Sequence, residues 1–229
     1  MKTLGIIGGM SAESTVLYYQ IINRETNARL GGNHSADILM HSVDFEKIVA
    51  LQKAGDWAAA GALLAESARK LESMGADVLV LATNTMHKIA HVIEQAVDIP
   101  LLHVVDATAE AVKAGGLRRV GLLGTRFTMS DGFYSERMVK LGVDVMVPSE
   151  KEQAEIHRII FEELCLGRVC ADSKSYYQQV VRRLQESGAE GVVLGCTEVG
   201  LLLKENDCPL PLFDSAQIHA LAAVDAALS

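Results

Sequence analysis

The stretches Gly75-Ala-Asp-Val-Leu-Val-Leu-Ala-Thr83 and Gly188-Ala-Glu-Gly-Val-Val-Leu-Gly-Cys196 resemble one another residue by residue. The first is a largely apolar run of strand length behind a glycine, the pattern of a strand buried on both faces. Two further pairs occur in the same order: Leu4-Gly-Ile-Ile-Gly8 with Val120-Gly-Leu-Leu-Gly124, and Val105-Asp-Ala107 with Phe213-Asp-Ser215. The offsets are 113 residues from Thr83 to Cys196, 116 from Leu4 to Val120 and 108 from Asp106 to Asp214. Ordered matches at nearly one offset mark an internal repeat. The plainer alternative is that apolar strands ending in glycine look alike.

Between these runs, strand and helix signals alternate. Strands are expected at Thr3–Ile7, Asp37–Ser42, Ala76–Ala82, Leu101–Val105, Arg119–Leu123, Val143–Val147, Gly191–Leu194 and near Leu212. Helices are expected over Ser11–Arg29, with Ser11 as cap, over Asp56–Met74, led by Asp56, over Glu150–Leu166 and over Ala216–Leu228. Such alternation argues for parallel sheets with right-handed crossovers. The expected fold is therefore α/β, with two pseudo-symmetric domains of mostly parallel, helix-covered sheets. Residues 1–104 plus 209–229 form the first domain and 105–208 the second. Ligands of open α/β sheets bind outside the carboxyl ends of the strands. Thr83 and Cys196 end the matching strands, so they are expected on opposite walls of an interdomain cleft.

Composition narrows the function. Of 229 residues, 49% are apolar and 22% charged, enough for a buried core. The net charge of −8 repels phosphate backbones, so no nucleic-acid partner is expected. No run is long and apolar enough for a membrane span, and no leader pattern opens the sequence, so a cytoplasmic location is expected. The four cysteines, Cys165, Cys170, Cys196 and Cys208, form no zinc-type spacing and read as free thiols. Gly8-Gly9-Met10-Ser11 is not a dinucleotide fingerprint. His87 and His91 have the i,i+4 spacing of a metal pair, but no third ligand is evident. A surface or capping role is expected for them, and no metal. Asp106 and Asp214 read as helix caps.

Two groups facing one carbon from opposite sides suit removal of a proton on one face and its return on the other. A cysteine can serve once nearby donors or a helix N-terminus favour its thiolate. Thr197 and a helix starting near Glu198 place Cys196 at such a terminus.

The chain resembles the aspartate/glutamate racemase family over its whole length. The motifs carrying the resemblance are Leu-Gly-Ile-Ile-Gly-Gly-Met-Ser (Leu4–Ser11), Thr83-Asn84-Thr85 and Gly195-Cys196-Thr197-Glu198. In the family the second and third motifs each carry a catalytic cysteine. The resemblance thus makes Cys196 one catalytic acid/base and puts Thr83 where relatives have the other. It implies a cofactor-independent racemase of aspartate or glutamate that favours one enantiomer. Cys196 abstracts the proton, and Thr83, or water held by it, supplies one from the other face. A branch with this exchange looks similar, with acidic L-amino acids as substrates and broader specificity open. The resemblance also implies substrate-binding roles for Met10, Ser11, Gln52, Asn84, Thr85, Thr125, Thr197 and Glu198. Thr125 is read as the counterpart of Gly9. Lys47, Lys53, Lys88, Arg126 and Arg168 are unranked candidates for a cation that binds the substrate side chain. A homodimer is implied. The alternatives are a related decarboxylase, maleate-type isomerase or hydantoin racemase, and a non-catalytic amino-acid binder.

Overall fold

In the computed structural model, which describes residues 1–229, the chain forms two four-stranded parallel sheets. The first contains β1 (Leu4–Gly8), β2 (Ile38–Ser42), β3 (Val78–Leu81) and β4 (Leu101–Leu102), in the order β2-β1-β3-β4. The second contains β5 (Arg119–Gly124), β6 (Asp144–Met146), β7 (Gly191–Gly195) and β8 (Leu212–Asp214), in the order β6-β5-β7-β8. The two orders are the same permutation, so the repeat read from the sequence is a repeat of topology.

The repeat extends to individual hydrogen bonds. Helix Trp57–Ser73 and helix Ala171–Glu186 each run into a glycine with positive φ, Gly75 at 98° and Gly188 at 101°. Only glycine adopts this conformation without strain. In both, the next alanine N–H returns to the helix: Ala76 to the Leu71 carbonyl at 3.1 Å and Ala189 to the Leu184 carbonyl at 3.0 Å. The acidic residue that follows then clasps the start of the neighbouring strand. Asp77 donates its N–H to the Thr3 carbonyl at 2.8 Å and accepts the Thr3 N–H on its carboxylate at 2.7 Å. Glu190 donates to the Arg119 carbonyl at 2.8 Å, and its carboxylate accepts the N–H groups of Arg118 and Arg119 at 2.8 and 3.0 Å. These clasps set the register of β3 on β1 and of β7 on β5.

The chain divides into two compact units, Met1–His103 with His219–Ser229, and Val104–Ile218. The return to the first unit falls at His219, later than the Pro209 expected from sequence. The reason is β8: it pairs with β7 from Val192↔Leu212 to Leu194↔Asp214 and so belongs to the second sheet. In the first unit, Ile7, Leu64, Leu71, Leu79 and Leu81 pack in the core between sheet and helices. In the second, Val120, Leu122, Tyr177, Val180 and Val193 do the same. No helix is long and apolar enough to cross a membrane.

Candidate active site

In the first unit, β1 ends at Gly8, and helix Ala12–Leu30 begins with Ser11 as its cap, accepting the Ser14 N–H at 3.2 Å. The intervening turn leaves no room for side chains. A Cβ on Gly8 would stand 2.4 Å from Thr15 Cγ2, and one on Gly9, whose φ is +90°, would stand 2.2 Å from the Val43 carbonyl oxygen. Thr15 fastens the turn through its Oγ1, which accepts the Gly9 N–H at 2.7 Å and donates to the Ser11 carbonyl at 2.8 Å. Met10 and Ser11 are buried at this strand end.

Thr83 follows β3 and leads into a 3-10 turn, Thr85–Ile89. The side chains of Thr83, Asn84 and Thr85 are all buried. Asn84 is 4% exposed, and neither its amide oxygen nor its amide nitrogen has a hydrogen-bond partner. A buried carboxamide left so costs about 1–3 kcal/mol, which a polar ligand could recover. Gln52, on helix Phe45–Ala54, is also buried and donates to Met86 Sδ at 3.1 Å.

Behind this strand end lies a group of histidines. His87 is 3% exposed, and its Nδ1–H donates to the Thr83 carbonyl at 2.7 Å. The His103 and His219 rings lie 4.6 and 5.7 Å from the His87 ring. His219 uses both nitrogens: the Tyr18 hydroxyl donates to Nδ1, and Nε2–H donates to the Leu102 carbonyl, each at 2.9 Å. The carbonyl can only accept, which assigns the proton to Nε2. Burial drives His87 well below its ordinary value, with His103 and His219 adding to the effect. Burial likewise pushes His219 down to about 4. The surface or capping role expected of His87 is therefore replaced by an interior one; His91 is exposed. No group of three or more His, Cys, Asp or Glu side chains is placed to hold a metal ion.

In the second unit, Gly124 pairs with Gly195, so Thr125 and Cys196 continue neighbouring strands from one register position. Thr125 caps the short helix Arg126–Ser130 by accepting the Thr128 N–H. Its structural counterpart is thus the cap Ser11 rather than Gly9, because the first half inserts Gly9 and Met10 between strand and cap. Thr125, Cys196, Thr197 and Glu198 are all buried. The Cys196 thiol donates to Glu198 Oε2 at 3.0 Å, and the Thr197 hydroxyl donates to the same oxygen at 2.6 Å.

This geometry corrects one expectation. The helix after Cys196, Val199–Leu202, has a single turn, too little for a helix-terminus field of any size. Burial pushes the Cys196 thiol well above its ordinary value, and the Glu198 carboxylate pushes it further. Asp214 caps helix Ser215–Leu228 as expected, accepting the N–H groups of Ala216 and Gln217. Asp106 instead lies inside helix Val104–Ala114 and binds Arg137 through both carboxylate oxygens. Of the candidate cations, Lys88 stacks its ammonium 4.1 Å above the Trp57 ring, while Arg126 is exposed beside Thr125. The glutamate–thiol contact and the histidine group were not foreseen. Glu198, two positions after Cys196, was the one available signal for the former.

Residues 7–223 match the family model described as Asp/Glu/Hydantoin racemase. A candidate Asp/Glu racemase from Yersinia pestis is 49% identical, with a TM-score of 0.94 over 100% of both chains. An aspartate racemase homologue from Pyrococcus horikoshii OT3 is 33% identical, with a TM-score of 0.87, again over 100% of both chains. The broad specificity amino-acid racemase RacX of Bacillus subtilis is 25% identical over 166 residues, 72% of this chain and 70% of that one.

Proposed function

The chain belongs to the Asp/Glu/hydantoin racemase family, an assignment that supports amino-acid racemase activity, and from this premise we propose that it racemises aspartate or glutamate without a cofactor. The observation that carries the proposal is the paired strand end. Thr83 and Cys196 follow the third strand of two sheets with the same strand order, and each is flanked by buried polar residues. We place the reaction in a cleft between the units, with these two residues on opposite faces of the substrate.

In this reading the Cys196 sulfur, as thiolate, takes the α-hydrogen of one enantiomer. The C–H bond breaks, an S–H bond forms and the electron pair stays on the substrate. Thr83, or water held by its hydroxyl, gives a proton to the opposite face. A threonine hydroxyl is too weak an acid to act as an alkoxide base near neutral pH, so the enzyme processes one enantiomer far better than the other. The unpartnered Asn84 amide is the group of the first unit that we assign to the substrate's polar atoms, with Ser11 and Thr85 as further binding groups there, Met10 and Gln52 shaping that side of the pocket, and Thr125 and Thr197 as the second unit's share. Water excluded on closure would strengthen these interactions. We further propose that the enzyme works as a cytoplasmic homodimer.

The test is α-proton exchange in deuterated water, followed by NMR for L- and D-aspartate and L- and D-glutamate separately. One enantiomer should exchange in the wild type, neither in Cys196→Ala, and both in Thr83→Cys. A folded wild type that exchanges none of the four would refute the proposal.

A further inference from the structure

We infer that Glu198 is the acceptor of the Cys196 thiol proton, so that the base on this wall is a thiol–carboxylate pair. The inference rests on the racemase reading of Cys196 but replaces the substrate-binding role expected of Glu198 with a catalytic one.

Three contacts carry it. Cys196 Sγ and Glu198 Oε2 are 3.0 Å apart, with the thiol as donor. Thr197 Oγ1 donates to the same oxygen at 2.6 Å and holds it against the sulfur. The sulfur in turn accepts the backbone N–H of Glu198, a bond that favours the thiolate. Cys196 and Glu198 are 8% and 4% exposed, so charge on either is costly unless it is shared.

The other titratable groups acting here offer the thiol no cation. Cys165, in the 3-10 turn Leu164–Leu166, raises the thiol further. Tyr177, from helix Ala171–Glu186, is held protonated by burial. Losing the thiol proton to bulk water would leave two anions in contact. Passing it to Oε2 keeps one negative charge on the pair: S–H with carboxylate becomes thiolate with carboxylic acid. When the thiolate then takes the α-hydrogen, the pair holds two protons and is neutral. The second leaves Glu198 for solvent as the opposite wall regains the one it gave. No charge beyond the original one is created in the buried site at any step.

The experiment measures two quantities on Glu198→Gln and Glu198→Asp in the full chain. The first is Cys196 ionisation, from ultraviolet thiolate absorbance against pH, with the same protein carrying Cys196→Ser as the blank. The second is α-proton exchange of the reactive enantiomer. Glu198→Gln removes the neighbouring anion, so Cys196 should ionise at lower pH while exchange falls roughly 100-fold, a general-base loss. Glu198→Asp should recover part of the exchange and keep the high ionisation midpoint. A more acidic thiol with exchange retained or increased in Glu198→Gln would overturn the inference, as would an unmoved midpoint. If Glu198→Gln does not fold, Glu198→Asp decides alone: a lowered midpoint with undiminished exchange refutes the pair. A wild type without exchange would defeat the racemase reading, whereas the titration tests the thiol–carboxylate coupling without any substrate.

Discussion

His219 should make the first unit acid-labile. It is wholly buried, its Nε2–H is given to the Leu102 carbonyl and its Nδ1 accepts from Tyr18. Burial holds its pKa at about 4, against 6.5 for the free side chain. A depressed value of this kind leaves stability intact above the unfolded-state pKa and removes it as pH falls toward the folded-state one. In that window the unfolded chain binds a proton that the folded chain refuses. The gap is about 2.5 units, and at 1.36 kcal/mol per unit it is worth about 3 kcal/mol, with a steepest slope of about 1.4 kcal/mol per pH unit. Total stabilities are only about 5–15 kcal/mol, so the loss is large. Urea unfolding, monitored by circular dichroism from about pH 7 to about pH 4.5, would measure it in wild type and His219→Gln. Glutamine can still donate to Leu102 but does not titrate in this range. The variant should be less stable than wild type at neutral pH, and the difference should shrink on acidification. His87, also held well below its ordinary value by burial, leaves a residual slope of the same sign in the variant. Parallel stability curves for the two proteins would refute the reasoning.

Asn84→Leu removes a buried carboxamide without partners, so thermal unfolding should show a gain of about 1–3 kcal/mol. The same change should raise KM in the exchange assay, and a loss of stability would show the amide to be satisfied after all. Gly9→Ala forces φ +90° on an L-residue and drives a Cβ toward the Val43 carbonyl, so it should cost more than about 1 kcal/mol in a thermal melt. Arg137→Leu removes the two bonds that Arg137 gives Asp106, and the melting temperature should fall; Asp106→Asn in the same chain should restore part of the loss.

The duplicated architecture was legible because its signals are local and occur twice. A glycine, an acidic residue and an apolar run mark β3 and β7. The structure supplies the reason for the acid, a carboxylate clasping backbone N–H groups at the start of β1 or β5. The candidates for catalysis and substrate binding were read mainly from motifs, and Met10, Ser11, Gln52, Thr83, Asn84, Thr85, Thr125, Cys196, Thr197 and Glu198 are all buried, most of them at strand ends, whereas the candidate cations are not. What escaped depends on distant partners. Strand β8 has three half-buried residues and no alternation to read, so the return point was placed too early. His87 sits on a 3-10 turn, where its spacing from His91 says nothing about which face is interior, and its neighbours His103 and His219 come from far along the chain. Arg137, which engages Asp106, is 31 residues away. A helix starting after Cys196 was foreseen, but its length was not, and length determines whether its dipole matters.

The first unit is sewn shut by residues that follow the second in the chain. Ala227 accepts the Lys2 N–H at 2.8 Å, Asp225 binds Arg29, and His219 completes the bond to Tyr18. On the ribosome, domains ordinarily fold in the order they emerge. Here Val104–Ile218 is continuous, whereas Met1–His103 lacks these partners until His219–Ser229 is made. The Thr83 half, although translated first, is therefore the later of the two to have all its residues.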